Sequence, residues 1–137
     1  PAGGGAGEQR VKEQVVAAMY DVLPNTLKVW GNVHPWQFDS VGTPLKGTDA
    51  MLGVSYWFGT NMVWLNYGAK RINDCVSCNS KGLGIGYHYL FSKRTEFYAS
   101  YAKVQNQANA ANGLAGFTPT APGQNMSGIV AGLAVTF

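Results

Sequence analysis

Apolar and polar positions alternate with a period of two through most of this chain, most clearly in its last residues. Counting by twos from Phe137 gives Val135, Leu133, Ala131 and Ile129, an apolar face without charge. Thr136, Ala134, Gly132, Val130 and Gly128 make a small and partly polar opposite face. Successive side chains of a strand point to opposite sides, so the pattern predicts a strand between an apolar medium and a filled or wet space. The same period predicts seven strands, at 13–22, 26–36, 48–58, 61–72, 82–92, 95–105 and 126–137. Each is about ten residues long, which is what a tilted strand needs to cross a bilayer. Short connections at 23–25, 59–60 and 93–94 alternate with longer ones at 37–47, 73–81 and 108–125. That asymmetry separates tight periplasmic turns from long outer loops in membrane barrels.

The alternation also assigns facing. Leu27, Val29 and Val33 point outward, as do Leu52, Val54 and Tyr56, then Val63, Leu65 and Tyr67, then Leu83, Ile85 and Tyr87, then Phe97 and Tyr101. The inward set, read as pore-lining, is Lys28, Trp30, Asn32, His34, Asp49, Trp57, Trp64, Asn66, Lys70, His88, Glu96 and Tyr98. A polar wall keeps a lumen wet and lowers the cost of moving an ion past a low-dielectric barrier. Asp21 joins the carboxylates opposing Lys28 and Lys70, and these charges either select ions or simply pair with one another. Three inward tryptophans are unusual for an aqueous wall: they narrow the lumen, stack on a solute, or pack beneath an inward-folded loop. Tyr20, Phe58, Tyr89, Phe97 and Phe137 gather beside the short turns as an interfacial girdle.

Composition agrees with a strand-crossed membrane. Charged residues are 12% of the chain, about half of ordinary soluble usage, while mean hydropathy is −0.07 and no apolar run approaches a membrane helix. The formal net charge of +3 is spread along the sequence without a Lys/Arg cluster, which gives no case for nucleic acid. The glycine-rich first residues show no secretory signal and read as a loop remnant at 1–12, so the start of an exported protein is expected to be missing.

Catalytic chemistry finds no purchase. There is no Gly-x-Ser-x-Gly elbow and no His-Glu-x-x-His, and His34 and His88 are the only histidines. Gly82, Gly84 and Gly86 lack the spacing of a dinucleotide fingerprint and open no helix. No enzyme activity and no cofactor or metal site are expected, since two cysteines alone cannot complete a tetrahedral zinc site.

The run 82–103 resembles the last hairpin of the general diffusion porins of Gram-negative bacteria, the trimeric β-proteobacterial porins in particular. The resemblance is carried by Gly86-Tyr87-His88-Tyr89, Ser92-Lys93-Arg94-Thr95 and Tyr98-Ala99-Ser100-Tyr101, in that order. His88 stands where arginine is common, and the two cysteines depart from the family pattern. The resemblance implies a barrel of about sixteen strands, of which these would be the final seven, the others coming from a missing N-terminal part. It further implies a homotrimer crossing the bacterial outer membrane many times, with Phe137, Val135 and Leu133 as the signal read by the barrel-assembly machinery. The family's constriction comes mainly from an inward-folded loop and basic residues nearer the N-terminus. Cys75 and Cys78 fall in a long loop; an outer location favours a disulfide staple, with redox chemistry, metal binding and free thiols as the alternatives.

The resulting expectation is an all-β transmembrane antiparallel barrel, embedded in a lipid bilayer, that passes small hydrophilic solutes and ions by passive diffusion. A surface adhesin or structural barrel without an open channel is the alternative, and a soluble β-sandwich binding module a weaker third.

Overall fold

The structure, a computed structural model, describes residues 10–39, 44–114 and 116–136. Its regular structure is entirely β: β1 (Arg10–Glu13), β2 (Val16–Leu23), β3 (Leu27–Asp39), β4 (Leu45–Phe58), β5 (Asn61–Ile72), β6 (Ser80–Ser92), β7 (Thr95–Asn106) and β8 (Met126–Val135). From β3 to β8 each strand pairs antiparallel with the next, while β1 and β2 share the remaining side of β3. The described sheet therefore runs from a β1/β2 edge to a β8 edge without closing on itself.

Eight segments appear where seven strands are predicted, and Pro35 is the reason. β1 pairs Glu13 with Trp36 and β2 pairs Val16 with Val33, so both keep one register across the gap at Gln14 and Val15. The Gln14 N–H donates to the Pro35 carbonyl at 3.1 Å, but Pro35 has no N–H to return. Arg10 to Lys12, predicted as loop, belong to β1. β3 and β4 also run on to Asp39 and back to Leu45, so residues 37–39 and 45–47 of the predicted loop belong to strands, and residues 40–43 of it lie outside the described residues. Backbone ladders need no apolar side chains, so hydrophobic alternation underestimates the polar ends of strands. β8 ends on Val135, two residues after Leu133; the predicted aromatic terminus, Phe137, lies outside the described residues.

The short connections obey local chemistry. Asn25 takes the left-handed conformation at φ 58° in the turn closed by the Thr26 N–H on the Leu23 carbonyl, and Gly59 does so at φ 60° between Phe58 and Asn61. Asparagine and glycine tolerate that region best, and a two-residue hairpin needs it to match strand twist. Because the meander reverses at every connection, these turns and Lys93-Arg94 lie at one end, and the connections that follow β3, β5 and β7 at the other.

The described residues form no conventional core. Among the described residues Cys78 and Ala110 are the only buried apolar ones, and no large side chain is fully buried. Instead one side of the sheet exposes a broad apolar surface, with Leu52 and Leu133 each 66% and Ile129 80% accessible. Tyr56 stacks near Phe58 at 5.7 Å and Tyr89 meets Phe91 edge-on at 4.9 Å, close to the short turns. A soluble sandwich would cover such a face with a second sheet. The described residues form a single layer, so the sandwich architecture is set aside.

Candidate functional site

Directly paired residues project to the same side of a sheet, so register assembles the polar face from distant parts of the chain. Trp57, Met62, His88, Tyr98 and Gly132 form a row close to the short turns. Lys28, Ser55, Trp64, Gly86 and Ser100 form the next, followed by Trp30, Gly53, Asn66, Gly84 and Ala102. Asn32, Met51, Gly68 and Gly82 come above them, and His34, Asp49, Lys70, Ser80 and Asn106 stand nearest the loops. Glu96, opposite Leu90 and Ala134, is on the same side. Every residue predicted to line a pore thus shares one face of this sheet.

The tryptophans on this face lie along it. A Cβ added to Gly53 would collide with the indole of Trp30, one on Gly47 with Trp36, and one on Gly86 with Trp64. On Gly132 it would sit 2.6 Å from the Tyr98 hydroxyl oxygen. Each aromatic ring covers the glycine paired with it on the next strand, where a side chain would otherwise stand. Trp30, Ser55, Trp57, Met62, Trp64 and Asn66 together line a groove of about 310 Å³. Trp57 faces Met62 rather than a glycine.

Charge on this face is mostly paired. Lys28 Nζ is 3.5 Å from Asp21, His34 Nε2 is 3.1 Å from Glu13, and His88 Nδ1 is 3.4 Å from Glu96. Lys28 also sits 5.8 Å from the centre of the Trp57 ring. Lys70 differs: its ammonium lies 5.3 Å from the Trp36 ring centre, and Trp36 donates its indole N–H to Asp49 at 3.3 Å. Among the described residues no carboxylate lies at salt-bridge distance from Lys70.

The loop 107–125 folds against the upper end of this face. Asn106 anchors it, donating through Nδ2 to the Asn112 and Gln124 carbonyls at 2.9 and 2.8 Å and accepting from the Asn112 N–H at 3.1 Å. Asn112 in turn donates to the buried Ser80 hydroxyl at 2.9 Å. Asn112 and Gly113 border a groove with Asn32, Asp49, Met51 and Lys70. The loop 73–79 supports it from the side: the Asn109 side chain donates to Val76 at 2.8 Å, and Cys75 and Cys78 are disulfide-bonded.

Glu13, Trp36, Asn106 and Asn112 belong to the site but not to the predicted set. Extending strand parity by two residues would have found Trp36. Glu13 needed the β1 register, and no pattern in the sequence reveals that Asn112 returns to Ser80.

Comparison of the sequence with family models and with curated proteins finds no match. Among solved structures the chain is similar to an anion-selective porin from Comamonas acidovorans, with a TM-score of 0.82 at 24% identity, over 94% of this chain and 40% of that one. The chain thus spans less than half the length of that porin. One continuous antiparallel meander, apolar on one side and polar on the other, has the fold of a section of a porin barrel.

Proposed function

We propose that this chain forms part of the wall of an outer-membrane porin, a water-filled channel for passive diffusion of small hydrophilic solutes and ions. One observation carries the reading: a single-layer sheet whose apolar side bears no charge in the three rows next to the short turns, while its other side carries polar and charged residues from the short turns to the loop end. Such a sheet fits hydrocarbon against one face and water against the other. The two open edges need further strands, because unpaired backbone groups cannot face lipid; a barrel of about sixteen strands, assembled as a homotrimer, supplies them.

The neighbour's anion selectivity is not carried by this part of the wall. Lys28 and Lys70 are opposed there by Glu13, Asp21, Asp49 and Glu96, so with neutral histidines its charge is net negative. This section favours cations, and the loop 107–125 narrows the opening above it.

Planar-bilayer recording of the full-length protein tests the proposal. Stepwise conductance, with the reversal potential under a salt gradient giving the charge preference, is the expected outcome. A correctly inserted protein that conducts nothing would sink the channel and favour a structural barrel or adhesin.

A further inference from the structure

Two indoles on the polar face are laid flat by the glycines beneath them. Gly53 leaves room for the ring of Trp30, and Gly84 and Gly86, two residues apart on β6, both lie under the ring of Trp64. One face of each ring therefore rests on backbone, and the other looks into the space in front of the sheet. Trp57 stands one row nearer the short turns than Trp64, with the Lys28 ammonium 5.8 Å from its ring centre. The three indoles, with Ser55, Met62 and Asn66, line the groove of about 310 Å³, a volume at the small end of ligand sites.

The polar groups of this groove are uncommitted. Among the described residues the Ser55 hydroxyl, the Asn66 amide and the indole N–H groups of Trp30, Trp57 and Trp64 have no hydrogen-bond partner in the protein. Ser55 points most clearly to a ligand, because the residue is only 6% accessible and lines the groove. A hydroxyl so placed forfeits a hydrogen bond unless something in the groove supplies one. No charged side chain lines the groove, and Lys28, paired with Ser55 across the ladder, is engaged by Asp21 at 3.5 Å. No described residue of the loop 107–125 borders it, so these indoles are not a seat for that loop.

This combination selects the chemistry of a solute. Polarised C–H groups suit the negative face of an indole, and a rim of hydroxyls suits the unpaired amide, hydroxyl and indole groups. A pyranose ring carries both. An anion would need a free cation in the lining, and a flat aromatic solute would leave the donors to water. We propose that this groove binds a neutral pyranose sugar, its C–H face on the Trp64 indole, Trp30 and Trp57 bordering it, and its hydroxyls on Ser55 and Asn66. The inference rests on the reading of this face as a channel wall, and it adds a saturable site to a path of free diffusion.

The test is saturation-transfer NMR on the full-length protein in neutral detergent, with glucose as the probe. Saturable transfer to the C–H protons of one ring face is expected, with little to glycerol, which has hydroxyls but no ring. Trp64→Ala weakens glucose binding roughly tenfold, while Trp64→Phe, which keeps a flat ring, loses much less. Asn66→Ala gives a smaller loss in the same direction, which keeps the test decisive if Trp64→Ala fails to fold. Equal transfer to glycerol, or full binding by both Trp64→Ala and Asn66→Ala, overturns the proposal. So does tighter binding of benzoate than of glucose, which would make the groove a site for aromatic anions. Conductance of the same preparations separates the two readings. A silent protein that still binds glucose sinks the channel and leaves the groove standing, whereas a conducting protein without saturable transfer sinks the groove alone.

Discussion

Gly86 and Trp64 show how one pair of residues shapes the polar face. The indole lies where a Gly86 side chain would stand, and Gly84 is beneath the same ring. Replacing Gly86 by alanine forces the indole off the wall, an overpacking that costs about 1–3 kcal/mol. The expected outcome is a lower urea midpoint by tryptophan fluorescence and a smaller single-channel conductance, as the ring moves into the lumen. In the proposed channel, Asp49 and Lys70 are the pair whose substitution tests charge selectivity. A unit charge a few ångströms from an ion in water is worth about 1 kcal/mol before salt screening, so changes of a few-fold in permeability ratio follow from single substitutions. D49N should move the reversal potential toward anions and K70Q toward cations; shifts of the same sign would exclude a direct electrostatic role. The alternating glycines from Gly82 to Gly86 were legible as a strand, whereas the service of Gly84 and Gly86 as the seat of Trp64 depends on register.

At the scale of elements, Pro35 and the loop 107–125 are the informative exceptions. Pro35 leaves one ladder bond unmade and divides β1 from β2. Pro35→Val restores a donor, which is worth about 0.5–1.5 kcal/mol where a partner waits. Amide exchange at Gln14 to Val16 should slow in that variant, and unchanged exchange would show that another cause interrupts the strand. Asn106 holds the loop by three hydrogen bonds to Asn112 and Gln124. Asn106→Ala strands polar groups at a cost of about 1–3 kcal/mol and should release the loop from the wall, read as larger and noisier conductance. The hairpins at Asn25 and Gly59 could be read in advance because their chemistry is local. The path of the long loop could not, since Asn112 meets Ser80 across 32 positions of sequence.

For the whole molecule, the open edges decide behaviour. β1/β2 and β8 have no partner on their outer sides among the described strands, and unpaired backbone in hydrocarbon costs several kcal/mol per group. The polypeptide of these 137 residues expressed alone should therefore give no stable conductance, while the full-length protein conducts; channels from the isolated piece would mean that it closes by oligomerising. Period-two alternation by itself determined the all-β class and the two faces, because side-chain direction along a strand is a local property of the backbone. It also determined that Lys28, Trp64 and His88 point the same way. Only the tertiary structure decided which residues become neighbours: that indoles lie over glycines, and that Lys28 meets Asp21 while Lys70 meets Trp36. Register couples positions tens of residues apart, and nothing in the local pattern encodes the sum that pairs them.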